Sequence, residues 1–349
     1  MPDAPHVLVV APNWLGDAVM SLPALADVRR AHPQGRITVA ARPSVAPLYS
    51  MVPGVDQTIE TRWRGSLTDR APLNDYAQRL FSEHVDVAIL FPNSFASAWA
   101  LRRARVRERW GYAADLRRPL LTRAVRRPTG SVHQGVYYQH LVRALGMPTG
   151  DLEPVIAVPA AALDDARALL TARGWRTARP LLVVAPGAAY GTAKRWLPEY
   201  FGSLVTRAIE EIGAQCALVG TAEDTTTARE VLAATATPHR AAVLDLTGAT
   251  TLPMLAGVMS LAATAVSNDS GAMHLAGAVG TPLVALFGPT RDRETAPLTR
   301  RTSHAEVLVN QVWCRPCMLR ECPIDHRCMK GLRPERVFTS VRALMGSRT

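Results

Sequence analysis

Short apolar runs alternate along the chain with amphipathic stretches of helical period. Val7–Ala11, Arg36–Ala40, Gln57–Glu60 and Val85–Phe91 read as strands, with Asp17–Ala31 and Tyr76–Glu83 as helices among them. The alternation then restarts. Leu181–Ala185, Cys216–Gly220, Ala241–Asp245, Thr264–Ser267 and Leu283–Phe287 read as strands, separated by helices at Pro198–Ile212, Ala222–Ala234, Leu252–Ser260 and Ala272–Val279. A last helix is expected at 334–345. Strands alternating with helices predict an α/β fold, a parallel sheet with helices on both faces. Two such series predict two doubly wound, Rossmann-like domains. The Pro- and Gly-rich stretch Gly146–Pro159 is the expected linker, giving domains 1–155 and 156–349. Ligands of such sheets bind beyond the carboxyl ends of the strands, and in a two-domain chain those ends can face each other across a cleft.

Composition narrows the class. The 349 residues, 48% of them hydrophobic, suit two domains of ordinary size. No apolar run approaches the ~18–20 residues of a membrane span. The N-terminus lacks the basic region and apolar core of a signal peptide, so a cytoplasmic protein is expected. The formal charge of +11 favours an anionic partner: nucleic acid, a phosphorylated small molecule or an acidic membrane. Lys194 and Lys330 are the only lysines, an arginine bias that a GC-rich genome explains.

The turn after the first strand, Asn13-Trp14-Leu15-Gly16-Asp17, holds one glycine and a carboxylate. A carboxylate repels phosphate, and no G-x-G-x-x-G is present there, which argues against a dinucleotide-dependent oxidoreductase. In "VVAPGAAYGTAKRW" (Val183–Trp196), Pro186-Gly187 turns at a strand end, and Lys194 and Arg195 follow on a loop of small residues. Backbone N–H groups can approach an anion there and two cations can neutralise it; the plain alternative is a solvated basic loop. In "AVSNDSGAMHLAGAVGTPLVALFGPT" (Ala265–Thr290) a strand runs into a helix that Asp269 or Ser270 can cap. The helix N-terminus and the Ser270 hydroxyl would make an anion site, with Gly271 at its start and His274 one turn in. The capping role alone also accounts for Asp269.

Taken together, "NWLGD", "PNSF" (Pro92–Phe95), "PGAAYGTAKRW" and "SNDSGAMHLAGAVGTPLVALFGPT" resemble the ADP-heptose:lipopolysaccharide heptosyltransferases of glycosyltransferase family 9, nearest the heptosyltransferase II branch. The resemblance runs from Val7 to Arg336. It implies a GT-B fold, an inverting transfer without a catalytic cofactor, a lipid acceptor on the N-terminal domain and ADP-heptose on the C-terminal one. The family's catalytic aspartate matches Asp17, and its donor-phosphate lysine matches Lys194. Gly187, Arg195, Asp269, Ser270, Gly271 and His274 fall in the matching donor segments. Glu223 and Asp224 both fit the acid that holds the adenosine ribose, and Asp224 is preferred. Asn13, Gly16 and Asn93 fall on the acceptor side. The run "TRWR" (Thr61–Arg64) is more similar to the heptosyltransferase I branch, where it meets phosphorylated Kdo; Arg62 and Arg64 are therefore acceptor candidates. Heptosyl-Kdo2-lipid A is the expected acceptor, with a heptosyltransferase I-type acceptor or a protein as alternatives.

Two clusters remain. Ten arginines stand between Arg102 and Arg127 against Glu108 and Asp115. They form either a solvated face or a contact with phosphorylated inner core or the anionic head groups of the inner membrane, at about 1 kcal/mol per basic residue. Aromatic interleaving of the kind that stacks nucleic-acid bases is missing, and no nucleic-acid partner is expected. Cys314, Cys317, Cys322 and Cys328 follow a C-x2-C-x4-C-x5-C spacing within segment 314–328. In a cytoplasmic protein such spacing points to a structural zinc held by four thiolates, or to iron, with His326 as a substitute ligand. Reduced thiols or a local disulfide are the alternatives. Some related heptosyltransferases carry a similar cluster and others lack it, which implies a staple for the loop before the last helix and no part in the shared chemistry.

Overall fold

Twelve strands form two parallel sheets in the computed structural model, which describes residues 4–346. The first unit ends at Ala157 and the second begins at Val158. In the first, β1 (His6–Val10), β2 (Arg36–Ala41), β3 (Gln57–Glu60), β4 (Val87–Leu90), β5 (Glu108–Tyr112) and β6 (Arg123–Val125) lie in the order β3-β2-β1-β4-β5-β6. In the second, β7 (Leu181–Ala185), β8 (Gln215–Leu218), β9 (Val243–Asp245), β10 (Thr264–Asn268), β11 (Leu283–Phe287) and β12 (Ala305–Val309) lie in the order β12-β11-β10-β7-β8-β9. Both sheets thus have the same doubly wound topology. Each reverses direction once, between β1 and β4 and between β7 and β10, and ligands bind at such reversals.

Burial on both faces explains the apolar strands. Along β7, Leu182 and Val184 enter one core cluster while Leu181, Val183 and Ala185 enter the other. The period of two therefore feeds two separate layers, with helix Pro198–Ile212 and the final helix Pro334–Gly346 over the first of these cores. Helix Gly271–Val279 packs with its Met273 and Ala276 in the second.

Several elements differ from the sequence expectation. The helix expected at Asp17–Ala31 is two helices, Leu15–Met20 and Leu22–Ala31, parted at Ser21, whose hydroxyl donates to the Ala18 carbonyl at 2.8 Å. Pro23 lies in the first turn of the second, where its missing N–H costs nothing. The helix expected at Tyr76–Glu83 is Arg70–Ser82, and the one expected from Ala222 opens with a 3-10 turn at Ala222–Asp224 before Thr225–Ala234. Strands β5, β6 and β12, and helices Phe95–Arg103, Gln134–Ala144 and Ala160–Ala172, were not among the expected elements. Among the described residues, no helix is long and apolar enough to cross a membrane.

Candidate active site

In the second unit, the loops after β7 and β10 meet because their strands are neighbours, with Ala185 opposite Ser267. Asn268, fully buried, joins them. Its Oδ1 accepts from the Trp196 N–H at 3.0 Å and its Nδ2 donates to the Pro186 carbonyl at 2.7 Å. The loop that ends at Trp196 is thereby fixed to the end of β10, and Lys194 is carried to Asp269. Lys194 Nζ lies 2.6 Å from Asp269 Oδ2, with both side chains largely buried at 13% and 5% exposure. The Thr290 hydroxyl donates to the same oxygen at 2.6 Å, and the ammonium stands 4.9 Å from the Tyr190 ring centroid. Sequence reasoning placed Lys194 and Asp269 separately; the ion pair between them and the Thr290 hydroxyl were not foreseen.

Asp269 and Ser270 do not cap the following helix with their side chains, contrary to expectation. Ser270 takes the N-cap position with extended backbone, but its hydroxyl lies 3.1 Å from that of Ser267 and makes no capping bond. Asp269 is committed to Lys194 and Thr290. The first N–H groups of helix Gly271–Val279 therefore have no side-chain cap, and the positive end of the helix stands beside the ammonium. His274 is buried one turn in. Arg195 adds a second cation: its Nη1 donates to Thr227 Oγ1 at 3.4 Å, and its buried Nε has no partner among the described residues. The structure thus sets an ammonium paired with a carboxylate beside an uncapped helix N-terminus, with a guanidinium that has an unmet donor next to the ammonium in sequence.

Asp224 approaches this site over the glycine turn. Its Oδ2 accepts from the Thr221 N–H and hydroxyl, both at 2.9 Å, and a Cβ at Gly187 would collide with its carboxylate. Glu223 next to it is exposed.

In the first unit, Asp17 sits half-buried in the first turn of Leu15–Met20. It is near enough to Tyr138 for its charge to add to burial in pushing that phenol well above its usual range. Asn13 is exposed and Gly16 half-buried on the same turn. Asn93 leaves the end of β4, which pairs with β1, so its loop and the Asp17 turn rise from neighbouring strands. Asn93 Nδ2 donates to the Tyr137 hydroxyl at 2.8 Å, and its Oδ1 accepts from Arg117 Nη2 at 3.4 Å. Arg62 and Arg64 follow β3 at the same end of the sheet, and both are exposed. Between them Trp63 is buried, stacked on Tyr76 at 5.9 Å and donating from its indole to the Ser66 carbonyl at 2.8 Å. One anchored ring thus turns two guanidinium groups outward.

Arg117 was hidden in the arginine run. Eight of the ten arginines there are exposed, Arg109 is half-buried and Arg117 is wholly buried. Its guanidinium donates to the carbonyls of Tyr112 and Pro92 and forms no ion pair with a described carboxylate. Burial lowers its pKa to about 10. Only the fold reveals a cation beneath the loop that carries Asn93.

The four-cysteine metal site is not supported. Among the described residues, no three His, Cys, Asp or Glu side chains form a group that could hold a metal ion. Cys328 turns into the core beside Met329 and Leu332, and burial raises its thiol pKa, whereas Cys317 is exposed. His326 is engaged elsewhere, its Nε2–H donating to the Ala193 carbonyl at 2.7 Å. Cys314, Cys317, Cys322 and Cys328 are all free thiols.

Comparison with known proteins bears on this arrangement. The profile described as glycosyltransferase family 9 (heptosyltransferase) matches residues 74–327. Lipopolysaccharide heptosyltransferase 2 of Escherichia coli K12 is 28% identical over 344 residues, covering 97% of this chain and 98% of that protein. Lipooligosaccharide heptosyltransferase 2 of Haemophilus influenzae is 30% identical over 306 residues, covering 85% and 87%. The solved structure of the Escherichia coli ADP-heptose LPS heptosyltransferase II matches with a TM-score of 0.83 at 27% identity, covering 98% of this chain and 99% of that one. The fold is GT-B, and the chain is a glycosyltransferase that belongs to glycosyltransferase family 9, the heptosyltransferases.

Proposed function

We propose that this enzyme moves L-glycero-D-manno-heptose from ADP-heptose to the inner core of lipopolysaccharide, with heptosyl-Kdo2-lipid A as acceptor and inversion at the anomeric carbon. The second unit takes the donor and the first the acceptor. The acceptor hydroxyl attacks the anomeric carbon as its proton passes to Asp17. The bond from that carbon to the diphosphate oxygen breaks, and ADP leaves with the electron pair. Lys194, Arg195 and the N–H groups at the start of Gly271–Val279 receive the developing charge, a stabilisation that needs no catalytic cofactor. Asp269 holds the ammonium in place. Asp224 takes the ribose, Gly187, Ser270, Gly271 and His274 line the donor side, and Asn13, Gly16, Arg62, Arg64 and Asn93 hold the phosphorylated acceptor.

Support comes chiefly from the Lys194–Asp269 pair beside an uncapped helix N-terminus at the reversal between β7 and β10. The exposed arginines suit an enzyme that works at the cytoplasmic face of an anionic inner membrane without entering it. The Trp63-anchored pair of arginines favours one second reading, a heptosyltransferase I-type acceptor. ADP release measured with heptosyl-Kdo2-lipid A, with Kdo2-lipid A, with protein and with no acceptor separates the possibilities. Turnover is expected with the first. Equal or faster release with Kdo2-lipid A would transfer the enzyme to the other branch, and release only with a protein acceptor would remove lipopolysaccharide from the reaction. Thermal stabilisation by ADP, and none by NAD, is expected as well.

A further inference from the structure

Segment 314–328, left without a metal role, touches both loops that flank the Lys194–Asp269 pair. On one side, the Arg320 carbonyl accepts from the Ala193 N–H at 2.9 Å, and the Met318 carbonyl accepts from the Tyr190 hydroxyl at 2.8 Å. His326 donates to the Ala193 carbonyl at 2.7 Å, from a left-handed backbone with φ of 60°. The Tyr190 ring lies with the Lys194 ammonium 4.9 Å and the Arg320 guanidinium 5.4 Å from its centroid. Gly191 passes so close to the Arg320 backbone that a Cβ there would clash with it.

On the other side stands Arg315, its side chain only 5% exposed. Its Nε donates to the Gly288 carbonyl at 2.6 Å, and its Nη2 donates to the Thr290 carbonyl at 3.0 Å and to Asp292 Oδ1 at 2.9 Å. Thr290 in turn donates its hydroxyl to Asp269 Oδ2, the oxygen that binds Lys194. A continuous chain therefore runs from Arg315 through Thr290 and Asp269 to Lys194. A guanidinium suits the first link because its planar fork can hold two carbonyls and a carboxylate at once, which an ammonium cannot match.

We propose that Arg315 is a positioning residue for the donor site: through Thr290 and Asp269 it fixes where the Lys194 ammonium meets the donor diphosphate, and segment 314–328 is the brace that holds it there. This rests on the reading of Lys194 as a donor-phosphate ligand. The brace consists of the peptide and side-chain contacts above.

Calorimetric titration of the full-length enzyme with ADP tests it in a double-mutant cycle of Arg315→Gln and Lys194→Met. Arg315→Gln is expected to weaken ADP binding on the order of tenfold, while in the Lys194→Met background it changes affinity by less than about twofold. The same loss in both backgrounds, or none in either, overturns the positioning role, because a general loosening of the unit would not depend on Lys194. If Lys194→Met alone leaves ADP affinity unchanged, the donor-site reading fails first, and that outcome is distinct from the other two. Thr290→Val cuts the same chain without touching segment 314–328. It replaces Arg315→Gln in the cycle if that variant shows no cooperative melting, with the same expected and overturning results.

Discussion

Asp17 and Asp269 each stand where a sheet reverses its strand order, and their surroundings suit different tasks. Asp269 is engaged by an ammonium and a hydroxyl on one oxygen, so its charge is spent on holding Lys194. Asp17 lies half-buried beside a buried phenol in the first turn of a six-residue helix. In the proposed reaction the base must accept a proton, and a carboxylate tied to a lysine is the poorer choice. Asp17→Asn keeps the shape and removes the basic oxygen. Turnover should fall by about 10²–10⁴-fold, the usual worth of base assistance, while calorimetry finds ADP affinity within about twofold of the parent. A loss of ADP affinity as large as the loss of rate would move Asp17 into donor binding.

Asn268 shows how two elements make one site. It joins the end of β10 to the loop after β7 through two hydrogen bonds at zero exposure. In Asn268→Ala the Trp196 N–H and the Pro186 carbonyl lose their side-chain partner in the interior, at about 1–3 kcal/mol for each group left unsatisfied. A lower melting temperature is expected together with weaker ADP binding, since the loop that carries Lys194 loses its tie. Weaker melting with unchanged ADP affinity would confine Asn268 to stability. The strands that frame this site were legible in sequence because β7 and β11 are apolar on both faces and β1 is so after His6, while β10 keeps an apolar centre at Ala265 and Val266. Strands β5 and β6, Glu108–Tyr112 and Arg123–Val125, were not, because their charged side chains reach solvent near the sheet edge and break the apolar run. The same contrast holds for the site. Loop motifs, together with the family resemblance they carry, marked Asp17, Lys194, Asp224 and Asp269 as candidates. The pairing of Lys194 with Asp269, the buried Arg117 and the reach of Arg315 are products of tertiary packing, and no local pattern encodes them. Four cysteines at metal-like spacing raised the expectation of a metal site, which the described residues do not support.

Charge and burial combine in the response of the whole chain to alkali. Tyr49, Tyr76, Tyr112 and Tyr138 in the first unit have phenols raised above the usual value of 10 chiefly by burial, and the buried Cys216 in the second is raised from 9.0 to about 12. The unfolded chain therefore releases these protons first as pH rises. Folding stability from these groups is complete below pH 9 and is lost above it, from the thiol first and from the phenols beyond pH 10. Arg117 acts in the opposite sense. Its folded pKa of about 10 lies below the ordinary 12.5, so its burial cost is present at neutral pH and eases as pH rises between those values. Burial lowers Arg109 in the same sense as Arg117 and raises the Cys328 thiol in the same sense as Cys216, so two guanidinium groups stand against four phenols and two thiols, which leaves a net loss. Tyr76 isolates the effect, since its buried hydroxyl has no hydrogen-bond partner among the described residues while its ring stacks on Trp63. Tyr76→Phe keeps the ring and removes an unpaired polar atom, and should stabilise the fold by about 1–2 kcal/mol at pH 8. The advantage should grow at pH 10.5, because phenylalanine has no proton to lose. Urea unfolding at the two pH values reads both differences. An earlier midpoint than the parent at pH 8, or an equal decline with pH, would mean that the Tyr76 hydroxyl is satisfied in solution and that alkali acts elsewhere.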